Sequence, residues 1–165
     1  MTSKLNDYLF MATFLALSHD WDYEHQDKWP EVHCKKSIAQ SPIDLCPNDM
    51  VPIKEPPILC QNWNKIYELS MVNNGHTIVL TLPSNQSLSF SEGGLPGIYK
   101  LVQFHFHWGS EHTLNGKRKA LEAHFVGFNN KFKSIEEALD FTNGVAVLGV
   151  CTKLLTLVTT IYFRQ

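Results

Sequence analysis

The sequence predicts a mainly β fold with minor α, and three observations carry that reading. From Met71 onward, β-branched and apolar residues gather in short runs separated by turn signals. Between residues 19 and 68, Pro30, Pro42, Pro47, Pro52, Pro56 and Pro57 deny any long helix or central strand. Only one segment carries a helix start signal, Ser134-Ile135-Glu136-Glu137. With 165 residues, 44% hydrophobic and 18% charged, the chain suits one packed domain and not a disordered one. A formal charge of −2 without a basic block gives no reason to expect nucleic-acid binding.

Taken in order, the first residues read as a targeting segment. Lys4 precedes the uncharged run Tyr8–Leu17, and Ala16-Leu17-Ser18 offers small residues for cleavage. Residues 1–18 are therefore expected to be a signal peptide, placing the mature protein outside the cell. The alternative is a short buried N-terminal helix and a cytoplasmic protein. Residues 19–68 should hold short pieces and turns. Asn73-Asn74-Gly75 is a turn signal before the strand Thr77–Leu82. Ser87–Phe90 alternates with period 2, and Glu92–Gly97 is a loop. Tyr99–Trp108 and Ala120–Phe128 read as strands with a bend at Gly116. One short helix follows Ser134 and closes near Gly144. Val145–Phe163 has Lys153 as its only charge. A charge at mid-membrane costs about 2.5–3.5 kcal/mol, so two buried strands are expected there and no membrane partner.

Gln103-Phe104-His105-Phe106-His107-Trp108 is the most informative stretch. On a strand, His105 and His107 share one face; Phe104, Phe106 and Trp108 share the other and can pack into a core. Two imidazoles at i, i+2 can reach one metal ion. Glu122-Ala123-His124 lies one strand later and offers a third. Three neutral imidazoles leave a fourth tetrahedral position open, the mark of a catalytic zinc site. A set of satisfied core histidines is the competing reading.

These motifs, with Gln40-Ser41-Pro42-Ile43-Asp44, Asn73-Asn74-Gly75-His76, Ser110-Glu111-His112-Thr113 and Val145–Gly149, resemble the alpha-class carbonic anhydrases from about Trp21 to Lys153, all in the family's order. The resemblance implies a large twisted, mostly antiparallel mixed sheet, and zinc-dependent reversible hydration of carbon dioxide to bicarbonate and a proton. It places His105, His107 and His124 on the zinc ligands, and Gln103 and Glu122 on the groups that orient His105 and His124. His76 falls on the proton shuttle, which by itself would read as a solvated turn residue. Glu111 falls on the carboxylate that orients a gatekeeper threonine. Val126 and Val147 fall on the apolar wall for carbon dioxide, and Tyr23 and Asn74 on the active-site water network.

The chain also departs from the family. The loop after Trp108-Gly109 is short, Lys119 replaces a usual aromatic, and Gly127 stands where histidine is common. The family's remaining third is not in these residues, so the expectation is a carbonic-anhydrase-like domain at 19–153, incomplete at its C-terminus, with a divergent tail at 154–165. The alternative to an active enzyme is a catalytically impaired zinc-binding or interaction protein. Cys34 matches half of a disulfide in secreted members, Cys46 and Cys60 are close enough in sequence to pair although four cysteines allow three connectivities, and Cys151 is expected as a buried thiol.

Overall fold

The computed structural model describes residues 41–52 and 54–153, and the backbone of residues 156–164. The expected signal peptide, Tyr23 and Cys34 lie outside the described residues. In chain order the elements are β1 (Asp44–Leu45), β2 (Leu59–Gln61), β3 (Ser70–Asn73), β4 (Ile78–Thr81), β5 (Ser89–Ser91), β6 (Tyr99–Trp108), β7 (Thr113–Leu114), β8 (Lys117–Arg118), β9 (Leu121–Asn129), α1 (Ile135–Ala138), β10 (Val145–Lys153) and β11 (Thr156–Arg164). The expected strands from Thr77 onward are all present, and the proline-rich part holds only short pieces.

Among the described residues, eight strands form one sheet with the path β11-β10-β9-β6-β4-β3, and β5 joins β2 to β6. Every pairing in it is antiparallel. A second, three-stranded sheet adds one parallel pair, β1 with β7, so the architecture is mixed. The apolar run from Val145 to Phe163 makes a hairpin of two strands and no helix. No helix among the described residues is long and apolar enough to cross a membrane.

The sheet has two different faces. Tyr99, Leu101, Ala146 and Leu148 pack with Phe90, Leu82 and Leu88 on one face, joined by Phe104 and Phe125. Phe104 and Phe125 stack with ring centroids 5.1 Å apart. On the other face, Phe128 and Val145 pack with Ala138 of α1, with Val102 and Val126 beside them. Strict alternation from Tyr99 would put Tyr99 and Leu101 on the same face as His105. A bulge between Leu101 and Gln103 in the β6–β9 register resets the phase. The inserted residue lets Leu101 and Phe104 both reach the core while the histidines stay opposite.

Helix α1 follows its capping signal. Ser134 Oγ accepts from Glu137 N–H at 3.4 Å. Glu137 Oε2 returns to Lys133 N–H at 2.8 Å, one residue before the usual capping-box partner.

One sequence expectation needs correction, and one question that the sequence leaves open is answered. Trp108 does not pack into the core: it is 64% exposed, because it is the last residue of β6 and the chain turns away at Gly109. Cys46 and Cys60 are free thiols; Cys46 Sγ donates to Asp44 Oδ2 at 3.4 Å, and Cys60 is exposed on β2. Cys151 is the buried thiol expected.

Gly127 has a packing reason. A Cβ there would stand 2.7 Å from the ring of fully buried Phe90 and 3.1 Å from the Lys100 carbonyl. No side chain fits unless Phe90 moves. Gly127→Ala is expected to cost about 1–3 kcal/mol by overpacking, seen as a lower denaturation midpoint. An unchanged midpoint would show that Phe90 yields freely.

Candidate metal centre

The β6–β9 register sets His105 directly opposite His124, and His107 opposite Glu122. His105 and His107 share a face of β6, and His124 faces the same way from β9. Their rings converge, with centroids 5.0 Å apart for His105–His107, 5.4 Å for His105–His124 and 4.5 Å for His107–His124. One nitrogen from each of the three lies within 4.8 Å of the other two. Neighbouring antiparallel strands thus supply the third imidazole, as the spacing predicts.

Hydrogen bonds settle which nitrogens are available. His105 Nδ1–H donates to Gln103 Oε1 at 3.0 Å, leaving Nε2 for a ligand. His124 Nε2–H donates to Glu122 Oε1 at 2.9 Å, leaving Nδ1. An oxygen acceptor behind a ligating imidazole fixes its tautomer and raises its basicity. Burial, and then repulsion from His124 and His107, lowers the pKa of His105 to about 3. Burial lowers His107 as well, against the opposing pull of Glu111. Neutral imidazole is the form in which a histidine can ligate a metal ion.

Glu122 is wholly buried and has three donors. The His112 main-chain N–H donates to its Oε2 at 2.9 Å, and His112 Nδ1–H and His124 Nε2–H both donate to its Oε1. Burial pushes its pKa up, but those hydrogen bonds outweigh burial and hold the carboxyl well below the usual range. The Ser41 hydroxyl reaches His112 Nε2 at 3.3 Å, so the Ser41-Pro42 motif ends the same chain of contacts. His112, Glu122 and His124 also form a cluster of possible metal ligands. Its polar atoms are already paired with one another, so it reads as the support of the three-histidine site and not as a second site. Sequence reasoning quoted His112 within a motif and gave it no role. Its signal was a histidine immediately before a strand pair, which by itself distinguishes nothing.

Thr77 was missed in the same way. Its hydroxyl donates to the Phe106 carbonyl and accepts from the Phe106 N–H at 3.2 Å, holding β4 against β6 between the two histidines.

Val126 and Val147 are directly paired across β9 and β10, on the histidine face and two residues along from His124. Both are half-buried, and Val126 also packs against the α1 cluster. His76 sits in the turn between β3 and β4, its main-chain N–H donating to Asn74 Oδ1 at 3.0 Å. That oxygen also accepts from Thr77 N–H at 2.9 Å, so Asn74 shapes the turn.

Glu111 hangs below the site. Gly109 adopts φ +79°, which turns the chain back after β6. Buried Ser110 then pins the short loop: its hydroxyl donates to the His112 carbonyl at 2.5 Å and accepts from Lys119 N–H at 2.7 Å. The turn carries Glu111 Oε2 to 3.5 Å from His107 Nε2 and 3.8 Å from His124 Nδ1.

The profile of eukaryotic-type carbonic anhydrases matches residues 24–160, across both histidine strands. The chain belongs to this family. It is 37% identical to carbonic anhydrase 6 of Mus musculus over 151 residues, covering 82% of this chain and 47% of that relative. It is 35% identical to carbonic anhydrase 3 of Homo sapiens over 153 residues, covering 84% of this chain and 57% of that relative. The chain therefore spans about half the length of these relatives. The large curled antiparallel sheet is the one that the family resemblance implies.

Proposed function

We propose that the chain holds one zinc ion through His105 Nε2, His107 and His124 Nδ1, and that it hydrates carbon dioxide reversibly to bicarbonate and a proton. The observation that carries this is the three-imidazole cluster with an oxygen acceptor fixed behind two of its rings. The donor set fits zinc: neutral nitrogen ligands, three in number, with room for a fourth donor. When bound, zinc supplies Lewis acidity and lowers the pKa of water to about 7, a figure that belongs to carbonic anhydrase itself and is not inferred from this chain.

The chain's own residues do the rest. Gln103 and Glu122 keep the two lone pairs aimed at one point. Val126 and Val147 offer an apolar wall beside His124, suited to a small molecule without hydrogen-bond donors. His76, an imidazole able both to take up and to give up a proton, accepts the proton and passes it to buffer. Glu111 orients the attacking water, directly or through a hydroxyl.

Stopped-flow hydration by the zinc-loaded chain, set against the metal-free chain, tests the reading. A zinc-dependent rate supports it, and identical rates would overturn it. His76→Ala should slow turnover in weak buffer, with recovery on adding imidazole, because proton export is a separate step. If imidazole restores nothing, His76 is a turn residue only.

A second reading is favoured by one observation, the approach of Glu111 to the histidine nitrogens. The chain then binds zinc and turns over carbon dioxide slowly, as a zinc-binding member of the family.

A further inference from the structure

We propose that Asn85 accepts an N-linked oligosaccharide as the chain enters the secretory pathway; this stands apart from the zinc site proposed above. Asn85-Gln86-Ser87 is the Asn-x-Ser/Thr acceptor pattern, with a residue other than proline in the middle. None of the other asparagines in the sequence has Ser or Thr two residues on. Such a triplet also arises by chance. It carries meaning where the fold leaves room for a bulky, hydrated sugar tree and the chain meets a donor of one.

The fold leaves that room. Leu82 and Leu88 are buried in the core, while Pro83, Ser84, Asn85 and Ser87 between them are exposed. Leu82 N–H donates to the Val102 carbonyl at 2.9 Å, and Leu101 N–H donates to the Leu88 carbonyl at 2.9 Å, so both ends of the loop are fastened to β6. Gln86 N–H donates to the Pro83 carbonyl at 3.0 Å, closing a β-turn with Ser84 and Asn85 at its central positions. Lys100 Nζ donates to the Ser84 carbonyl at 2.6 Å. Asn62 Nδ2 donates to the Ser87 carbonyl at 2.9 Å and lies 3.2 Å from its hydroxyl. The backbone is thus held on both sides of Asn85. Among the described residues no hydrogen bond uses the Asn85 carboxamide, so a sugar on its Nδ2 displaces no contact of the fold.

The place is also compatible with the histidine site. The turn is anchored at Lys100, five residues before His105 on β6. At about 3.3 Å per residue, that is about 16 Å of strand.

The first residues bring the chain to the donor. The uncharged run Tyr8–Leu17, ending in Ala16-Leu17-Ser18, has the pattern of an export signal. The two readings of that segment make opposite statements about Asn85. An exported chain meets the transferase of the endoplasmic reticulum, and a cytoplasmic chain never does. The donor is a lipid-linked diphospho-oligosaccharide. Asn85 Nδ2 forms a bond to the anomeric carbon of its first sugar as the bond from that carbon to the diphosphate oxygen breaks. The lipid diphosphate leaves, Nδ2 gives up one proton, and nothing is oxidised or reduced. The Ser87 hydroxyl is the part of the acceptor that the transferase reads.

The test translates the full 165-residue chain in vitro with microsomes of the endoplasmic reticulum. A heavier band is expected that resists added protease while the membranes are intact. Peptide N-glycosidase should bring it down to the mass of the bare polypeptide and leave a carboxylate where the carboxamide of Asn85 stood, which peptide mass spectrometry locates. Asn85→Gln and Ser87→Ala should each lose the heavier band, and Ser87→Thr should keep it. All are read on denaturing gels of freshly made chain, so a variant that folds poorly still reports. A protected chain without sugar would overturn Asn85 as an acceptor and leave export standing. A heavier band that survives in Asn85→Gln would overturn it too. A chain that the protease digests, with no heavier band, would bring down export and the glycan together. None of these outcomes bears on the three-histidine site.

Discussion

Replacing His107 by alanine is expected to lower zinc affinity by about 100-fold or more, the largest binding effect of any single change at the site. A bound zinc in such a site is worth about 10–16 kcal/mol, shared over three or four donors, so one imidazole carries about 3 kcal/mol or more. His107 has a second claim. It stands between His105 and Glu111, with its ring 4.5 Å from that of His124, so its loss opens the middle of the cluster. Gln103→Ala should cost less, about tenfold, because it removes only the acceptor behind His105. Zinc content after dialysis against a chelator would rank the two. Unchanged stoichiometry in His107→Ala would refute the ligand set, and a larger loss in Gln103→Ala would mean that orientation outweighs ligation here.

The ordering of those effects follows from the register of two strands, and that part was legible before any coordinates. The i, i+2 spacing of His105 and His107 fixes a shared face, and a histidine on the next strand is the simplest third donor. What the alternation rule does not contain is the bulge beside Val102. Nothing in Leu101-Val102-Gln103 marks it, because the extra residue is demanded by packing on both faces at once and not by any local preference. Trp108 misled for a related reason: period 2 gives the face, but the strand ends before the core does. The β7–β8 hairpin, turning at Asn115 and Gly116 with φ of 50° and 71°, was visible only as a bend. His112 and Ser110 were illegible as supports, since their partners lie across a loop whose path depends on Gly109. Whether Cys46 and Cys60 pair was open in the sequence, because closeness along the chain says little about where two side chains point; both are free thiols.

Glu122 carries the largest expected effect on the fold. It accepts from three donors: the main-chain N–H and Nδ1–H of buried His112, and the Nε2–H of half-buried His124. Glu122→Leu would strand all three, at about 1–3 kcal/mol each before relaxation, so a net loss of about 3–5 kcal/mol is expected. Glu122→Gln keeps the shape but sets an NH₂ against N–H donors, and it should cost less than Leu while still weakening zinc binding about 10–100-fold. The pH dependence separates the two causes of acid sensitivity in the metal-free protein. His105 has its folded pKa lowered to about 3, so below the ordinary histidine range near ~6.5 the unfolded chain takes a proton that the fold refuses. Stability present at neutral pH is therefore lost as the pH falls from about 6.5 toward 3. Glu122 is also lowered, which adds a second loss beginning as the pH falls below the ordinary glutamate value of 4.5. Each group steepens the curve by at most about 1.4 kcal/mol per pH unit. Denaturant midpoints measured from pH 8 to about pH 2.5 should decline in two stages for the parent chain. Glu122→Gln should keep the first stage and lose the second. A parent chain whose midpoint stays flat down to pH 4 would mean that His105 is not buried as a neutral ring, and the readiness of the site for a metal ion would need another cause.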